Sequence, residues 1–349
     1  MTKRMVILAI IAISLFAVYA CKSVETTSAM LHNEHGNYEK AEEMAKLALE
    51  KNPSDAEAHF QLAISYSSTG RMAGAYKEFM EAARLDPKKA ADAEIGIKSN
   101  WAKHFNNGLS EFDSDNAAGA AHEFQLATQA DPRQAKGWLN LAKVYYGLAF
   151  NDSTYLPTTY ATVDTLIAIT KEDDESYPNV LALTGQIMVK RGMKDEAVKI
   201  FEKLLLDDPA NYEDVERAGN DYLSSKDWES GALLLQMASE ARKKTNSEDF
   251  DSYYNLGVAH FNSKDCPKAI EAYLAALEFD PESRQGHYSL LLAYYQCEMY
   301  DDAILQGQKY SEKFTDDPKG WQILSLSYSK KGMKLKAEDA AKKFEELSQ

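Results

Sequence analysis

Histidines, clustered carboxylates and cysteines are the residues of this 349-residue chain that could do chemistry. No phosphate-binding loop, Rossmann glycine signature or nucleophile elbow occurs, and His122 lacks the second histidine, four residues on, that a zinc helix needs. Asp113, Asp115 and Asn116 are spaced like the start of a calcium loop, but the required glycine and terminal glutamate do not follow. Since nothing pairs a nucleophile with a base, we expect no enzyme and no metal or cofactor site.

The composition describes an acidic, folded protein. Lys and Arg number 39 against 54 Asp and Glu, giving a net charge of −15, which argues against a nucleic-acid partner. An apolar content of 45% with 27% charged residues excludes a disordered chain and a polytopic membrane protein. Three cysteines are too few for a disulfide-dense scaffold.

The first twenty residues are typical of a signal peptide. Two basic residues precede an apolar run over residues 5–19, which is shorter than the roughly twenty residues that span a bilayer. The stretch VYAC at 18–21 resembles a bacterial lipobox, in which the cysteine is diacylated and becomes the first residue of the mature protein. Tyr19 stands where a small residue is usual.

This resemblance implies lipidation at Cys21 and a place in the cell envelope, on the periplasmic face of the outer membrane. Several acyl chains would hold the protein stably, whereas one chain holds weakly. Cleavage by ordinary signal peptidase would instead leave a soluble periplasmic or secreted protein. An uncleaved anchor is a further alternative.

Small residues recur along the rest of the chain at intervals of 34 residues or slightly more. The series runs through Ala41, Ala75, Ala120, Ala161, Ala197, Gly231, Ala269, Ala303 and Ala337. Counted from residue 56, position 8 of each repeat is small and position 24 is often aromatic, as expected where two antiparallel helices approach to about 8–10 Å. All nine prolines fall at the ends of the predicted helices, where a missing N–H costs least.

This pattern resembles the tetratricopeptide repeat, a helix-turn-helix of about 34 residues. The resemblance implies an all-α, right-handed superhelical solenoid of about eight to nine repeats, continuous over residues 36–349. Residues 1–20 would be the signal peptide, and residues 21–35 a lipidated tether or a degenerate first helix. Insertions are expected at residues 90–100 and 150–157.

Five of the seven histidines share two positions of the repeat: His59, His104 and His287 stand at position 4, and His32 and His260 at position 11. Elsewhere these positions hold aromatic residues such as Trp138 and Tyr66. The pattern therefore favours packing over metal binding for these histidines.

In this family the first helix of each repeat lines a concave groove, where positions 2, 5, 9, 12 and 13 face the ligand. The resemblance therefore implies a ligand groove lined by Phe105, Leu109, Phe112, Leu139, Lys143, Tyr146, Tyr254, Val258, Phe261, Tyr288, Leu292 and Tyr295. Position 12 and part of position 9 could instead pack against the adjacent repeat, so position 5, as in Tyr254 and Tyr288, is expected to be the most exposed. No repeat combines Lys at position 5 with Asn at position 9, which argues against binding of chaperone C-termini.

The sequence thus favours an exported, lipid-anchored scaffold or adaptor that binds envelope proteins or peptides in its groove, in complex assembly or secretion. The alternative is a glycan-capturing envelope lipoprotein, in which tyrosine faces stack on sugar rings. That family carries long insertions which are largely missing here.

Cys266 and Cys297 fall beside the turns of two adjacent repeats. An oxidising compartment would permit a disulfide between them. However, equivalent points of stacked repeats lie about 10 Å apart, and a disulfide needs Cα atoms within about 7 Å. The sequence therefore predicts two free thiols.

Overall fold

The structure, a computed structural model, describes residues 22–348. The predicted signal peptide and Cys21 lie outside the described residues. Within residues 22–348 the regular elements are eighteen α-helices and three short 3₁₀-helices, which confirms the predicted all-α fold. The described part of the chain forms two compact units that divide between Tyr177 and Pro178, one residue into the ninth helix, where the sequence predicts one continuous solenoid.

The helices pair in chain order into nine hairpins. Their bounds are α1 Val24–Glu34, α2 Tyr38–Lys51, α3 Ala56–Ser68, α4 Met72–Leu85, α5 Ala90–Asp113, α6 Ala117–Ala130, α7 Ala135–Asn151 and α8 Leu156–Ile169 in the first unit, and α9 Tyr177–Arg191, α10 Lys194–Asp207, α11 Tyr212–Ser224, α12 Trp228–Thr245, α13 Phe250–Asn262, α14 Cys266–Phe279, α15 Arg284–Gln296, α16 Tyr300–Lys313, α17 Pro318–Lys330 and α18 Lys334–Leu347 in the second. The 3₁₀-helices are Pro87–Lys89, Ser153–Tyr155 and Pro209–Asn211. The predicted insertion at residues 90–100 lengthens α5, the first helix of repeat three, to 24 residues.

The turns inside the hairpins share one backbone feature. In every repeat except the fourth, one residue just before the second helix has a positive φ: Gly36, Gly70, Asp115, Gly192, Lys226, Lys264, Glu298 and Gly332. First helices commonly begin after a capping side chain, as where Asp55 accepts a hydrogen bond from the Ala58 N–H at 3.0 Å. Local sequence therefore sets where the first helix of a hairpin begins and where the turn before its second helix lies.

The first hairpin contains a complete first helix. Over residues 21–35 the sequence leaves open a tether or a degenerate helix, and the structure forms α1. The Thr26 hydroxyl is fully buried and donates to Asp55 Oδ2 at 2.6 Å, while Asn33 Nδ2 donates to the Gln61 carbonyl at 2.9 Å. These hydrogen bonds join α1 to the cap and body of α3.

The two helices of a hairpin touch where a small residue meets a large ring sixteen residues later. A Cβ atom on Gly108 would lie 2.6 Å from Phe124, and one on Gly257 would lie 2.6 Å from Tyr273. Gly185 and Phe201 repeat the contact at 2.5 Å. These pairs confirm the predicted small and aromatic positions 8 and 24.

We expect Gly257→Ala to lower the free energy of unfolding by about 1–3 kcal/mol, because the new methyl group overlaps the buried ring of Tyr273. Gly147→Ala is the matched control, since Gly147 lies inside α7 with no atom within 4 Å of an added Cβ. This control is expected to stabilise the protein by up to about 1 kcal/mol through helix propensity. Urea denaturation of both variants checks the pair, and equal effects would contradict this packing.

Histidines at position 4 tie the two helices of a hairpin together. His59 Nδ1 lies 2.5 Å from Glu78 Oε2, and His104 Nδ1 lies 2.8 Å from Glu123 Oε2. In the eighth hairpin Gln306 Nε2 lies 3.1 Å from His287 Nδ1. Each partner stands 19 residues after its histidine, so these side chains have a structural role that recurs with the repeat.

The prediction of two free thiols is wrong, because Cys266 and Cys297 form a disulfide with a Cα–Cα distance of 5.9 Å. Cys266 is the first residue of α14, and Cys297 is the C-cap of α15. These points are not equivalent in the two repeats, and their offset brings them closer than one helix-packing distance. The bond therefore fastens repeat seven to repeat eight.

Candidate partner-binding surface

Two neighbouring first helices in the second unit carry an aromatic row at positions 5, 9 and 12. The aromatic row consists of Tyr254, Val258 and Phe261 on α13 and Tyr288, Leu292 and Tyr295 on α15. All six side chains are half-buried: one side packs against the core, which includes Tyr273, Leu290 and Leu291, and the other side remains accessible. The spacing i, i+4, i+7 places each trio on one face of its helix.

Tyr254 is held in place by three neighbours. Its ring stacks on Phe250 with a centroid distance of 5.4 Å, and it meets the buried Tyr273 ring at 5.7 Å. Its hydroxyl lies 3.2 Å from Ser289 Oγ on α15, which links the two helices of the row. This ring is therefore positioned before any partner arrives.

Tyr288 is the equivalent residue of the next repeat. Its ring lies 5.9 Å from the buried Tyr310 ring, and Lys319 Nζ lies 5.2 Å from its centroid. Burial raises the pKa of the Tyr288 phenol, and the negative charge of Asp317 raises it further, so the phenol is neutral at physiological pH. The lysine offers this aromatic face a positive charge.

The predicted groove residues of the first unit are less uniform. Phe105 is half-buried and stacks on Trp101 at 4.7 Å, whereas Leu109, Phe112 and the Lys143 side chain are exposed. Phe112, at position 12, is 54% exposed, so position 5 is not the most exposed position in this repeat. The helical spacing identifies the face but does not determine how far neighbours cover each residue.

Two predicted groove residues of α7 lie against other side chains. Tyr146 is half-buried, and its ring meets that of Phe150 at 5.1 Å. Leu139 is only 5% exposed, so its assignment to the ligand groove is wrong. A side chain covered to that extent has no face left for a partner, and Leu139 belongs to the core.

The last repeat extends the row with residues that sequence reasoning missed. Lys319, Gln322 and Leu326 occupy positions 2, 5 and 9 of α17, and all three are exposed. Groove residues were chosen from the sequence because they are aromatic or large and apolar, so this mostly polar helix was not included. Their equivalence to the groove positions 2, 5 and 9 of the other repeats is the signal that could have identified them.

Clefts also open beside the second helices. One of about 530 Å³ lies among α12, α13 and α14, and its lining includes Lys243, His260 and Glu271. Burial lowers the pKa of His260, which is therefore neutral, and its Nε2 has no hydrogen-bond partner. Another cleft of about 710 Å³ lies among α16, α17 and α18 and is lined by Trp321, Tyr328 and several lysines and carboxylates.

Residues 22–348 contain neither a metal-binding cluster nor a membrane-spanning helix. In that part of the chain, no group of three or more His, Cys, Asp or Glu side chains is arranged to hold a metal ion. None of the helices described there combines the length and the apolar character needed to cross a bilayer.

Comparison with known proteins identifies the repeats. A profile of the tetratricopeptide repeat matches residues 27–90 and 216–284, and a second profile of the same repeat matches residues 181–211. No curated protein matches the chain.

Several solved structures are similar to this chain. One is the C-terminal part of a TPR repeat-containing protein from Cytophaga hutchinsonii, at 17% identity and a TM-score of 0.52, covering 70% of this chain and 95% of that one. Another is MamA protein, at 23% identity and a TM-score of 0.40, covering 50% of this chain and 93% of that one. A third is YrrB, described as a TPR protein with an unusual peptide-binding site, at 16% identity and a TM-score of 0.39, covering 65% and 93%.

The Cytophaga structure shares the fold of this chain. The hairpins, their glycine–aromatic contacts and the profile matches agree on one assignment. Residues 27–90, 181–211 and 216–284 are tetratricopeptide repeats, and the all-α fold of this chain is that of a tetratricopeptide-repeat protein.

Proposed function

We propose that this protein is an exported, lipid-anchored scaffold that binds extended peptides or helices of envelope proteins along the faces of its first helices. The observation that carries the proposal is the aromatic row of α13 and α15. Rings that are fixed by their neighbours lose little conformational freedom on binding, and aromatic anchors dominate the energy of many interfaces.

The surroundings of the aromatic row suit a peptide backbone. Exposed amide side chains flank the row at Asn262, Gln285 and Gln296. Amides can satisfy both the N–H and the C=O groups of an extended chain, which need partners once water is displaced. Lys319 adds a positive charge beside Tyr288, so a partner with aromatic or aliphatic anchors and a nearby carboxylate suits this surface.

The disulfide supports the exported location. Bonds of this kind persist in oxidising compartments such as the bacterial periplasm and are rare in the cytosol. The Cys266–Cys297 bond therefore agrees with the signal peptide and with lipidation at Cys21. The direct check of the anchor is the acyl mass on the N-terminal peptide.

The test compares groove variants in a crosslinked pull-down from detergent-solubilised envelope. Tyr254→Ala combined with Tyr288→Ala should reduce recovery of specific envelope proteins at least tenfold, because both anchors are removed. The control replaces Leu274 and Leu305, exposed residues of the second helices α14 and α16, and should retain the partners. Circular dichroism confirms that the compared proteins are folded.

Equal recovery by the groove variant and the control would refute binding at the aromatic row. Binding of a glycan array without a protein partner would favour glycan capture instead. That outcome would also depend on the tyrosines, because sugar rings stack on aromatic faces.

A further inference from the structure

The first described residues of the chain are held tightly by the fold. Lys22 Nζ lies 3.1 Å from Glu57 Oε2, and Ser23 Oγ accepts a hydrogen bond from the Thr26 N–H at 2.9 Å as the N-cap of α1. Helix α1 follows at Val24 and is itself fixed to α3 through the Thr26–Asp55 hydrogen bond. The sequence-based tether is therefore absent from residue 22 onward.

This arrangement limits how far the protein can stand from an anchor at Cys21. Three residues span at most about 10 Å when fully extended. If Cys21 carries acyl chains, the first turn of α1 must then lie close to the lipid headgroups.

An exposed stripe on α1 is available at that place. Val24, Thr27 and Leu31 follow the spacing i, i+3, i+7 on the face opposite the buried Thr26 and Ala29. Val24 is 81% exposed and Leu31 is 51% exposed, and they stand three and ten positions from the proposed lipidation site.

The charges along α1 permit contact with a lipid surface. Glu25, the only carboxylate between Val24 and Leu31, pairs with Lys51 at 2.6 Å. The exposed Glu34 lies at the far end of the helix and marks the limit of the stripe. The stripe is therefore short and uncharged, with its acidic neighbour neutralised by a lysine.

We infer that α1 lies on the membrane that holds the anchor, with Val24 and Leu31 inserted at the level of the headgroups. This inference rests on the proposed lipid anchor and adds a second contact, between the fold and the bilayer. A helix lying in the interface places its apolar side chains about 5–10 Å into the boundary between headgroups and acyl chains. The first repeat is then fixed at the membrane surface, and the later repeats are presented from it.

The experiment uses the full lipidated protein in vesicles of phosphatidylethanolamine and phosphatidylglycerol. A fluorescent probe is attached in separate proteins at Val24→Cys and Leu31→Cys, since the native cysteines are blocked by acylation or by the disulfide. Leu206→Cys and Leu335→Cys are the controls, because both residues are at least as exposed as Leu31 and lie on other helices. Lipids brominated near the headgroup should quench the probes at 24 and 31 and leave the controls unquenched.

An anchored protein, with acyl mass on Cys21, whose probes at 24 and 31 are not quenched would overturn the docking of α1 and leave the anchor intact. Absence of acyl mass would instead refute the anchor in the proposed function. A blue shift of the probe emission that depends on protein concentration but not on brominated lipid would mean that a second copy of the protein covers the stripe. That result also contradicts membrane docking.

Discussion

Replacing Cys266 and Cys297 by serine is expected to lower the free energy of unfolding of the repeats around the bond by about 3–4 kcal/mol. The disulfide closes a segment of 31 residues, and chain entropy gives a stabilisation of this size for such a loop. Because repeat proteins are stabilised through nearest-neighbour interfaces, the loss should be concentrated in repeats seven and eight and reach the first unit last.

Hydrogen exchange of the oxidised wild type and the double-serine variant measures this effect helix by helix. Protection should fall most in α13 to α16. Adding a reductant to the double-serine variant is the control and should change nothing. Equal protection in the oxidised wild type and the variant would contradict a stabilising bond between these repeats.

Tyr310→Ala is expected to cost about 3–5 kcal/mol, because the Tyr310 ring is 1% exposed and packs against Phe314 at 4.9 Å. The hydroxyl also donates to Asp317 Oδ2 at 2.5 Å, and Asp317 caps α17 through the Lys319 N–H. Tyr310→Phe removes only the hydroxyl and should cost about 1–3 kcal/mol. Urea denaturation of the two variants separates the ring from the hydrogen bond.

The hydrogen bond also predicts a pH dependence. Burial raises the pKa of Asp317, but the Tyr310 hydroxyl and the Lys319 N–H hold this pKa below its usual value. The carboxylate therefore stabilises the fold above the unfolded-state pKa of about 4, and this contribution is lost as the pH falls through the lower folded-state pKa. In Tyr310→Phe the pKa of Asp317 should rise, so stability should decline at a higher pH than in the wild type. Identical pH profiles would contradict this assignment.

The repeat architecture could be predicted because small and large residues alternate at fixed spacing. Position 8 and position 24 lie sixteen residues apart, and Gly108–Phe124 and Gly257–Tyr273 meet as that spacing requires. Prolines supplied an independent signal: Pro157 and Pro267 open second helices as predicted.

The repeat register predicted from the sequence is wrong in the fourth repeat. Ala161 belongs to the sequence series, yet it is exposed, and Val163 and Leu166 are fully buried instead. Helix α7 continues to Asn151 and a 3₁₀-turn follows before α8, so the second helix turns a different face inward. An insertion changes register by an amount that depends on its conformation, which spacing alone does not contain.

The disulfide and the groove residues show a second limit of prediction from the sequence. The thiol prediction used the distance between equivalent points, whereas the bond joins a helix start to a helix end. Groove positions were predicted by face, but exposure depends on what packs beside each residue, so Leu139 is buried while Phe112 is open. Both outcomes depend on contacts between repeats, and the pattern within one repeat does not describe them.

Site-specific photo-crosslinking in the living cell tests directly whether partner proteins bind along the first helices. A photoreactive amino acid at Leu326, on the first helix α17, is compared with one at Leu305, on the second helix α16; the two residues are similarly exposed, at 42% and 53%. Leu326 is expected to crosslink to a discrete envelope protein, whereas Leu305 is not, and Tyr254→Ala with Tyr288→Ala should abolish the crosslink. Crosslinking of the same partner from Leu305 but not from Leu326 would contradict binding along the first helices.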